Sequence, residues 1–268
     1  MDFQENKIGI VIPVYNKERF ISNTLDSINN LITKPDEVII IDDGSTDNSL
    51  ELITNLTLNK NYKIISQKNQ GVSSARNNGI KLCTSDYILF LDADDILRQD
   101  ALVFFKKYIN NGYKIIAGNR INKQGNIFFD TNSDIEFNQK EYLYMLYKNI
   151  NLCWTSAVLL KKELLLNNNF NEKFSHGEDR DFFYRVLKGQ KAIFTKNIVA
   201  EYVNDEDGLS NKTITPCQDL FYILIKDQSK NNPFNIRNHI FLLTYKLKRF
   251  KVSIRNSQIK IAIKWLVE

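Results

Sequence analysis

Cysteine, histidine and proline are scarce in this chain, with three, two and four residues among 268. Cys83, Cys153 and Cys217 lie far apart with no paired spacing, which argues against a disulfide framework or a zinc site and suits a reducing compartment. A cytoplasmic protein is therefore expected. His176 and His239, the only histidines, are read as structural or solvent-facing rather than as metal ligands. Glycine and proline are too few for low complexity or long disorder. No 18 apolar residues run together, which argues against a membrane-spanning helix. The polar start, Met1 to Lys7, leads directly into a strand-like segment, so no cleavable signal peptide is expected. The first strand is not followed by Gly-x-Gly-x-x-Gly, which removes a nicotinamide dehydrogenase.

What is present is an ordinary globular composition with an uneven charge. The formal net charge is +5, yet residues 226–268 hold ten Lys or Arg against Asp227 and Glu268, leaving −3 for the first 225 residues. Ile240, Leu243, Leu247, Phe250 and Ile254 recur at helical steps, with Lys246, Lys248, Arg249, Lys251 and Arg255 between them. Such a basic amphipathic helix suits an anionic membrane surface, with packing on the domain or on a second subunit as the equal alternative. The segment 237–268 is thus a candidate membrane or dimer contact, and a peripheral position on the inner face of the cell membrane is a second possibility for location. Only the basic tail hints at a nucleic-acid partner, and acidic residues at the strand ends would oppose a phosphate backbone, so no such partner is expected.

The first hundred residues alternate β-branched runs with helical patterns. Strands are expected at Ile8 to Val14, Glu37 to Ile41, Tyr62 to Ser66 and Tyr87 to Leu91, and helices near 18–31, 46–58 and 72–82. Near-continuous apolar strands in β-α-β order predict an α/β fold, a doubly wound and mostly parallel sheet with right-handed crossovers. A helix over 99–111, a strand at 114–118 and a hairpin turning at Gln124-Gly125-Asn126 should follow. Helices are expected again at 138–149 and 179–188, and strands at 154–160 and 191–203. Residues 1–210 read as one catalytic domain and 211–268 as a helical tail.

Ligands of open α/β sheets gather outside the carboxyl ends of the strands. Those ends read Pro13-Val14-Tyr15-Asn16, Asp42-Asp43-Gly44-Ser45 and Asp92-Ala93-Asp94-Asp95. Strand-end aspartates gathered at one edge repel one another unless a cation neutralises them, and oxygen-only ligands select Mg²⁺ or Mn²⁺. Taken singly, Asp43 to Asp47 could be a plain turn and Asp95 a helix cap. Gln70-Gly71-Val72-Ser73-Ser74-Ala75-Arg76 opens a helix that sets Arg76 one turn in, where a guanidinium can reach a base or a phosphate. Glu178-Asp179-Arg180-Asp181-Phe182 opens another helix, where acidic residues also suit the dipole.

In order and approximate spacing, Ile-Pro-Val-Tyr-Asn, Ile-Asp-Asp-Gly-Ser-Thr-Asp, Gly-x-x-x-Ala-Arg-Asn, Asp-x-Asp-Asp and Gly-Glu-Asp-x-Asp-Phe resemble a family 2 glycosyltransferase with the GT-A fold. The resemblance covers about residues 8 to 210. It implies an inverting transfer of a sugar from a nucleoside-diphosphate donor, a UDP-sugar foremost, to a surface-glycan or lipid-linked acceptor. Pro13, Tyr15 and Asn16 would line the nucleoside pocket. Asp42 would meet the pyrimidine with Asp43 close by, and Arg76 would hold base or diphosphate. Asp92 would lie near ribose and metal, and Asp94 would ligate Mn²⁺ or Mg²⁺. Asp179 would be the catalytic base, with Glu178 beside it. Trp154 and Asp95 are expected on the acceptor or sugar side, Trp154 because an aromatic face suits the apolar side of a sugar. Many relatives carry a histidine or basic residue in a late loop, whereas Tyr202 to Ser210 is acidic here. A catalytically inactive, nucleotide-sugar-binding scaffold in a glycan-assembly complex is the alternative function.

Overall fold

The computed structural model describes residues 5–56, 62–148, 150–174 and 177–203, together with Lys246. The chain packs as two units, Met1–Glu172 with Asp181–Asp205, and Lys173–Arg180 with Glu206–Glu268. The basic tail and the acidic stretch after Val203 lie outside the described residues, as does His176.

The first unit opens as β1 (Ile8–Val14), α1 (Ile21–Asn29), β2 (Glu37–Asp42), α2 (Ser49–Leu56), β3 (Tyr62–Ser66), α3 (Val72–Leu82) and β4 (Tyr87–Phe90). These strands lie parallel in the order β3-β2-β1-β4. The chain continues through β5 (Ile96–Leu97), α4 (Ala101–Asn110), β6 (Ile115–Asn122), β7 (Ile135–Asn138), α5 (Gln139–Tyr147), β8 (Val158–Lys161), α6 (Glu178–Val186) and β9 (Lys191–Tyr202). The described strands form one sheet in the order β3-β2-β1-β4-β8-β6-β9-β5, with β7 beside β9. β8 runs antiparallel to β4 and β6, and β9 is parallel to β6.

Strand periodicity explains why helices cover both faces. Ile8, Ile10, Ile12, Val38, Ile40 and Leu89 point into a core shared with Ile21, Leu25, Ile53 and Phe105. Val11, Ile39, Ile41, Ile88 and Phe90 point to the other face, against Ala75, Ile80, Phe182 and Phe183. The expected early elements are found with small shifts at their ends. The run expected as a strand at 154–160 instead begins as a 3-10 turn, Thr155–Ala157, before β8. β7 was not expected at all: four residues are too short for a period to show, and Asn138 simultaneously caps α5 through a capping box with Glu141.

Carboxylates stitch the amino ends of the strands. Glu37, 6% exposed, accepts at Oε1 from the Thr84 N–H (2.6 Å), the Ser85 N–H (2.6 Å) and the Ser85 hydroxyl (2.7 Å), and at Oε2 from Lys63 Nζ (3.1 Å). Burial alone would raise its pKa, but hydrogen bonds from Ser85, Lys63 and Thr84 outweigh it and lower the pKa to about 2. A depressed carboxylate stabilises the fold fully above its unfolded value and loses that contribution as pH falls through the folded one. The window here runs from about 4.5 down to about 2, worth roughly 3 kcal/mol. Glu37→Gln is therefore expected to lower the thermal midpoint at pH 7 by about 5–10 °C and to flatten the acid limb of a melting-versus-pH series. An unchanged midpoint would contradict this role.

Candidate functional site

β1 is the point where strand order reverses, with β2 on one side and β4 on the other. A crevice outside the carboxyl ends of such strands is where α/β sheets take ligands. Three loops meet this edge, after β1, β2 and β4.

The first two loops are laced together. Asn16 takes a positive φ of 52°, a conformation asparagine tolerates. Its Oδ1 accepts from the Thr46 N–H (2.8 Å), and its own N–H donates to Ser45 Oγ (3.1 Å). The Lys17 N–H donates to Ser49 Oγ (2.7 Å), and the Glu18 N–H to Asp47 (3.0 Å). Pro13 lies within β1, opposite Ile41, and Tyr15 is exposed just beyond the strand.

Asp42 ends β2, is buried, and accepts from the Ser45 N–H at 3.1 Å. Asp43, also buried, reaches the next loop instead. It accepts from Gln67 Nε2 (2.7 Å), the Gln70 N–H (2.9 Å) and the Gly71 N–H (2.8 Å). It thus fixes the entry to α3, where Gly71 has φ 91°, a region glycine enters without cost. Further along α3, a Cβ on Gly79 would stand 2.1 Å from Val11 Cγ1, so the helix lies on β1 at a separation only glycine permits.

That close packing sets Arg76 deep under the third loop. Its side chain is 4% exposed, donates from NH2 to Asp92 Oδ1 (2.7 Å), and stacks 5.1 Å from the Phe170 ring centre. The sequence places Arg76 one turn into the helix, within reach of a base or a phosphate at the strand ends, and its guanidinium faces Asp92 there. Asp94 accepts from Lys17 Nζ at 2.6 Å, a pairing across 77 positions of sequence. Burial, with Asp92 nearby, raises the Asp94 carboxyl above its usual range, although Lys17 opposes the shift. Asp95 was expected on the acceptor side but is 1% exposed. It accepts from Ser156 Oγ (2.6 Å) and the Val203 N–H (3.3 Å), and Ser156 Oγ in turn accepts from the Asp92 N–H (3.0 Å). Asp95 is an internal brace, held well above the ordinary carboxylate range by burial and by Asp92 and Asp94.

The structure therefore gathers Asp92, Asp94 and Asp95 with Lys17, Arg76 and Ser156. Lys17 and Ser156 were not singled out in the sequence. Lys17 follows the first motif directly, but no spacing announces its pairing with Asp94. Ser156 stands only two places after Trp154, and its two bonds depend on how β8 docks beside β4. Trp154 is partly buried against the first core cluster. Glu178 and Asp179 occupy the first turn of α6, and both belong to the second unit.

The described residues hold no group of three or more His, Cys, Asp and Glu side chains arranged as a metal cage. Asp92 and Asp94 nevertheless suit a hard divalent ion, which typically takes one or two carboxylates and completes its shell with substrate phosphates and water. Ionisation of Asp94 is opposed by burial and by the neighbouring Asp92, and a cation relieves both.

A family model described as "Glycosyl transferase family 2" matches residues 9–167. The chain is 30% identical over 197 residues to the GalNAc(5)-diNAcBac-PP-undecaprenol beta-1,3-glucosyltransferase of Campylobacter jejuni, covering 68% of this chain and 60% of that protein. It is 30% identical over 216 residues to the poly(ribitol-phosphate) beta-glucosyltransferase of Bacillus spizizenii, covering 75% and 33%. These matches span less than two thirds of the relatives' length. Among solved structures, S. aureus TarS 1-349 in complex with UDP-GlcNAc superposes with a TM-score of 0.69 at 20% identity, covering 82% of this chain and 64% of that one. That structure shares the fold, a mixed α/β architecture built on a mostly parallel central sheet. With the matched segment covering every strand-end loop of the acidic edge, the chain belongs to glycosyl transferase family 2.

Proposed function

We propose that the protein transfers a sugar from a nucleoside-diphosphate donor, a UDP-sugar foremost, to a hydroxyl of a glycan or lipid-linked acceptor with inversion at the anomeric carbon. The observation that carries this reading is the carboxylate cluster at the strand-order reversal. Asp92 and Asp94 are held against Arg76 and Lys17, so the edge presents both anionic and cationic groups. That is the mixture a metal-bound diphosphate requires. The relatives' names, with sugar transfer to undecaprenol-linked and ribitol-phosphate acceptors, support the reaction class and the acceptor class. The UDP-GlcNAc complex supports the donor class.

In this scheme Pro13, Tyr15, Asn16, Asp42 and Asp43 form or support the nucleoside pocket, with Asp42 facing the base and Asp43 holding the loop that leads to Arg76. Arg76 and Lys17 turn from their carboxylates toward the diphosphate as it enters. Asp94 and Asp92 would hold Mn²⁺ or Mg²⁺. Such an ion stabilises the charge gathering on the departing diphosphate. Asp179 takes the acceptor hydroxyl proton as that oxygen attacks the face opposite the leaving group, and Glu178 orients donor or acceptor. The oxygen–carbon bond forms while the bond to the diphosphate breaks, so no covalent enzyme intermediate is needed.

A thermal-shift panel of UDP, GDP, dTDP and their sugars, each with and without Mn²⁺, tests the reading. UDP or a UDP-sugar together with Mn²⁺ is expected to raise the midpoint more than the sum of either alone. If no nucleotide diphosphate shifts the protein with metal present, the proposal fails.

A further inference from the structure

Where β6 and β9 end beside the acidic loop, an aromatic assembly surrounds Arg120. The hairpin after β6 turns at Gly125 (φ 80°) and pairs the Phe128 N–H with the Arg120 carbonyl at 3.1 Å, placing the two residues opposite each other. The Arg120 guanidinium then lies between two rings, 4.3 Å from the Phe128 centroid and 4.9 Å from that of Trp154. Its NH1 also donates to the Asn151 carbonyl (3.3 Å). Tyr202, opposite Asn122 in the sheet register, meets both rings edge-on, at 6.1 Å from Phe128 and 5.5 Å from Trp154. Cation–π and edge-to-face contacts of this kind fix ring orientation in advance of any ligand.

Two further features set this assembly apart from core packing. Phe128 remains 48% exposed although Arg120 covers one of its faces, and Ile127 beside it is 47% exposed. Both anchoring segments are also bonded to the acidic loop. Ser156, two residues beyond Trp154, donates to Asp95 and accepts from the Asp92 N–H, and Val203, next to Tyr202, donates its N–H to Asp95. The rings are thereby held at a fixed position relative to Asp92 and Asp94.

We infer that Phe128 is the stacking ring of an acceptor subsite that takes a pyranose unit of the glycan, with Arg120, Trp154 and Tyr202 as its positioning residues. The inference rests on the transfer reading above and adds the acceptor's chemical class at a named surface. A pyranose presents an axial C–H face that packs on an aromatic ring, and the polar edge of Arg120 and Asn151 beside that ring suits its equatorial hydroxyls. A ring already held by its neighbours loses little further freedom on binding.

The test uses the full chain on an array of bacterial surface glycans, with wild type, Phe128→Ala and Phe128→Tyr compared, and with the UDP–Mn²⁺ thermal shift measured on each. Wild type is expected to bind pyranose-containing glycans, Phe128→Ala about tenfold more weakly, and Phe128→Tyr within about threefold of wild type, since the tyrosine ring restores the stacking face. All three should keep the same nucleotide shift, which also reports that the exposed substitution leaves the fold intact. Equal glycan binding by wild type and Phe128→Ala, or no glycan binding beside an intact nucleotide shift, overturns the subsite alone. Loss of the nucleotide shift in wild type overturns the transfer reading instead. Phosphatidylglycerol vesicles bound by wild type but not by Phe128→Ala, with glycans unbound, would make the patch a lipid contact and also overturn the subsite.

Discussion

Sugar transfer by the Asp179→Asn protein is expected to fall by about 10²- to 10⁴-fold, the range a positioned general base supplies, while affinity for the nucleoside diphosphate stays within about threefold. The asparagine keeps the size and the hydrogen-bonding reach of the aspartate but cannot accept the proton of the attacking hydroxyl. Asp179 lies in the first turn of α6, directly after Glu178. The same comparison separates an enzyme from a scaffold. An inactive nucleotide-binding scaffold would show no turnover in wild type and no difference on substitution, whereas a transferase loses turnover and keeps binding. Retention of more than about a tenth of the wild-type rate would remove Asp179 from the base role.

Asp94→Asn is expected to lower transfer by at least about 10²-fold, comparable to losing one preorganised electrostatic contact to the developing charge, and to abolish the Mn²⁺-dependent part of the nucleotide thermal shift. The unliganded variant should melt at or above the wild-type midpoint. Burial, with Asp92 adjacent, raises the Asp94 carboxyl above its usual range, so the charged form is disfavoured in the fold. A raised carboxyl contributes stability that is complete below its unfolded value, near 3.8, and is lost as pH rises through the folded value. A neutral amide avoids that loss, and the variant's midpoint should vary less with pH above 4. Lost activity together with undiminished stability is the signature of a functional carboxylate. A lowered midpoint with intact metal response would assign Asp94 to structure through its Lys17 pair.

Much of the first hundred residues was legible because each signal there is local. Ile8 to Val14 and Val38 to Ile41 are apolar on both faces, so they had to lie inside a covered sheet, and Gly71 before an apolar helical period marked the start of α3. The strand-end aspartates were legible for the same reason: their positions follow from where the strands stop. What could not be read was the identity of their partners. Lys17 meets Asp94 across 77 residues and Ser156 meets Asp95 across 61, and such contacts depend on strand order rather than on spacing. Asp43 and Asn16 illustrate the same limit. Both lie in the expected motifs, yet their side chains organise loops. The later half of the sheet was less legible because β8 and β7 pair antiparallel with distant strands and are four residues each, too short to carry a period. The basic helix expected over 237–268 lies outside the described residues apart from Lys246, and its membrane or dimer role stands as a proposal.

The most direct measurement is a crystal structure of the full chain grown with a UDP-sugar and Mn²⁺. One nucleotide sugar should lie across the loops after β1, β2 and β4, its base beside Asp42, the ion between its diphosphate and Asp94, and the Asp179 carboxylate facing the anomeric carbon from the side opposite the diphosphate. A donor seated away from these loops, or one that meets Asp94 with Asp179 far beyond reach of the sugar, would contradict the account.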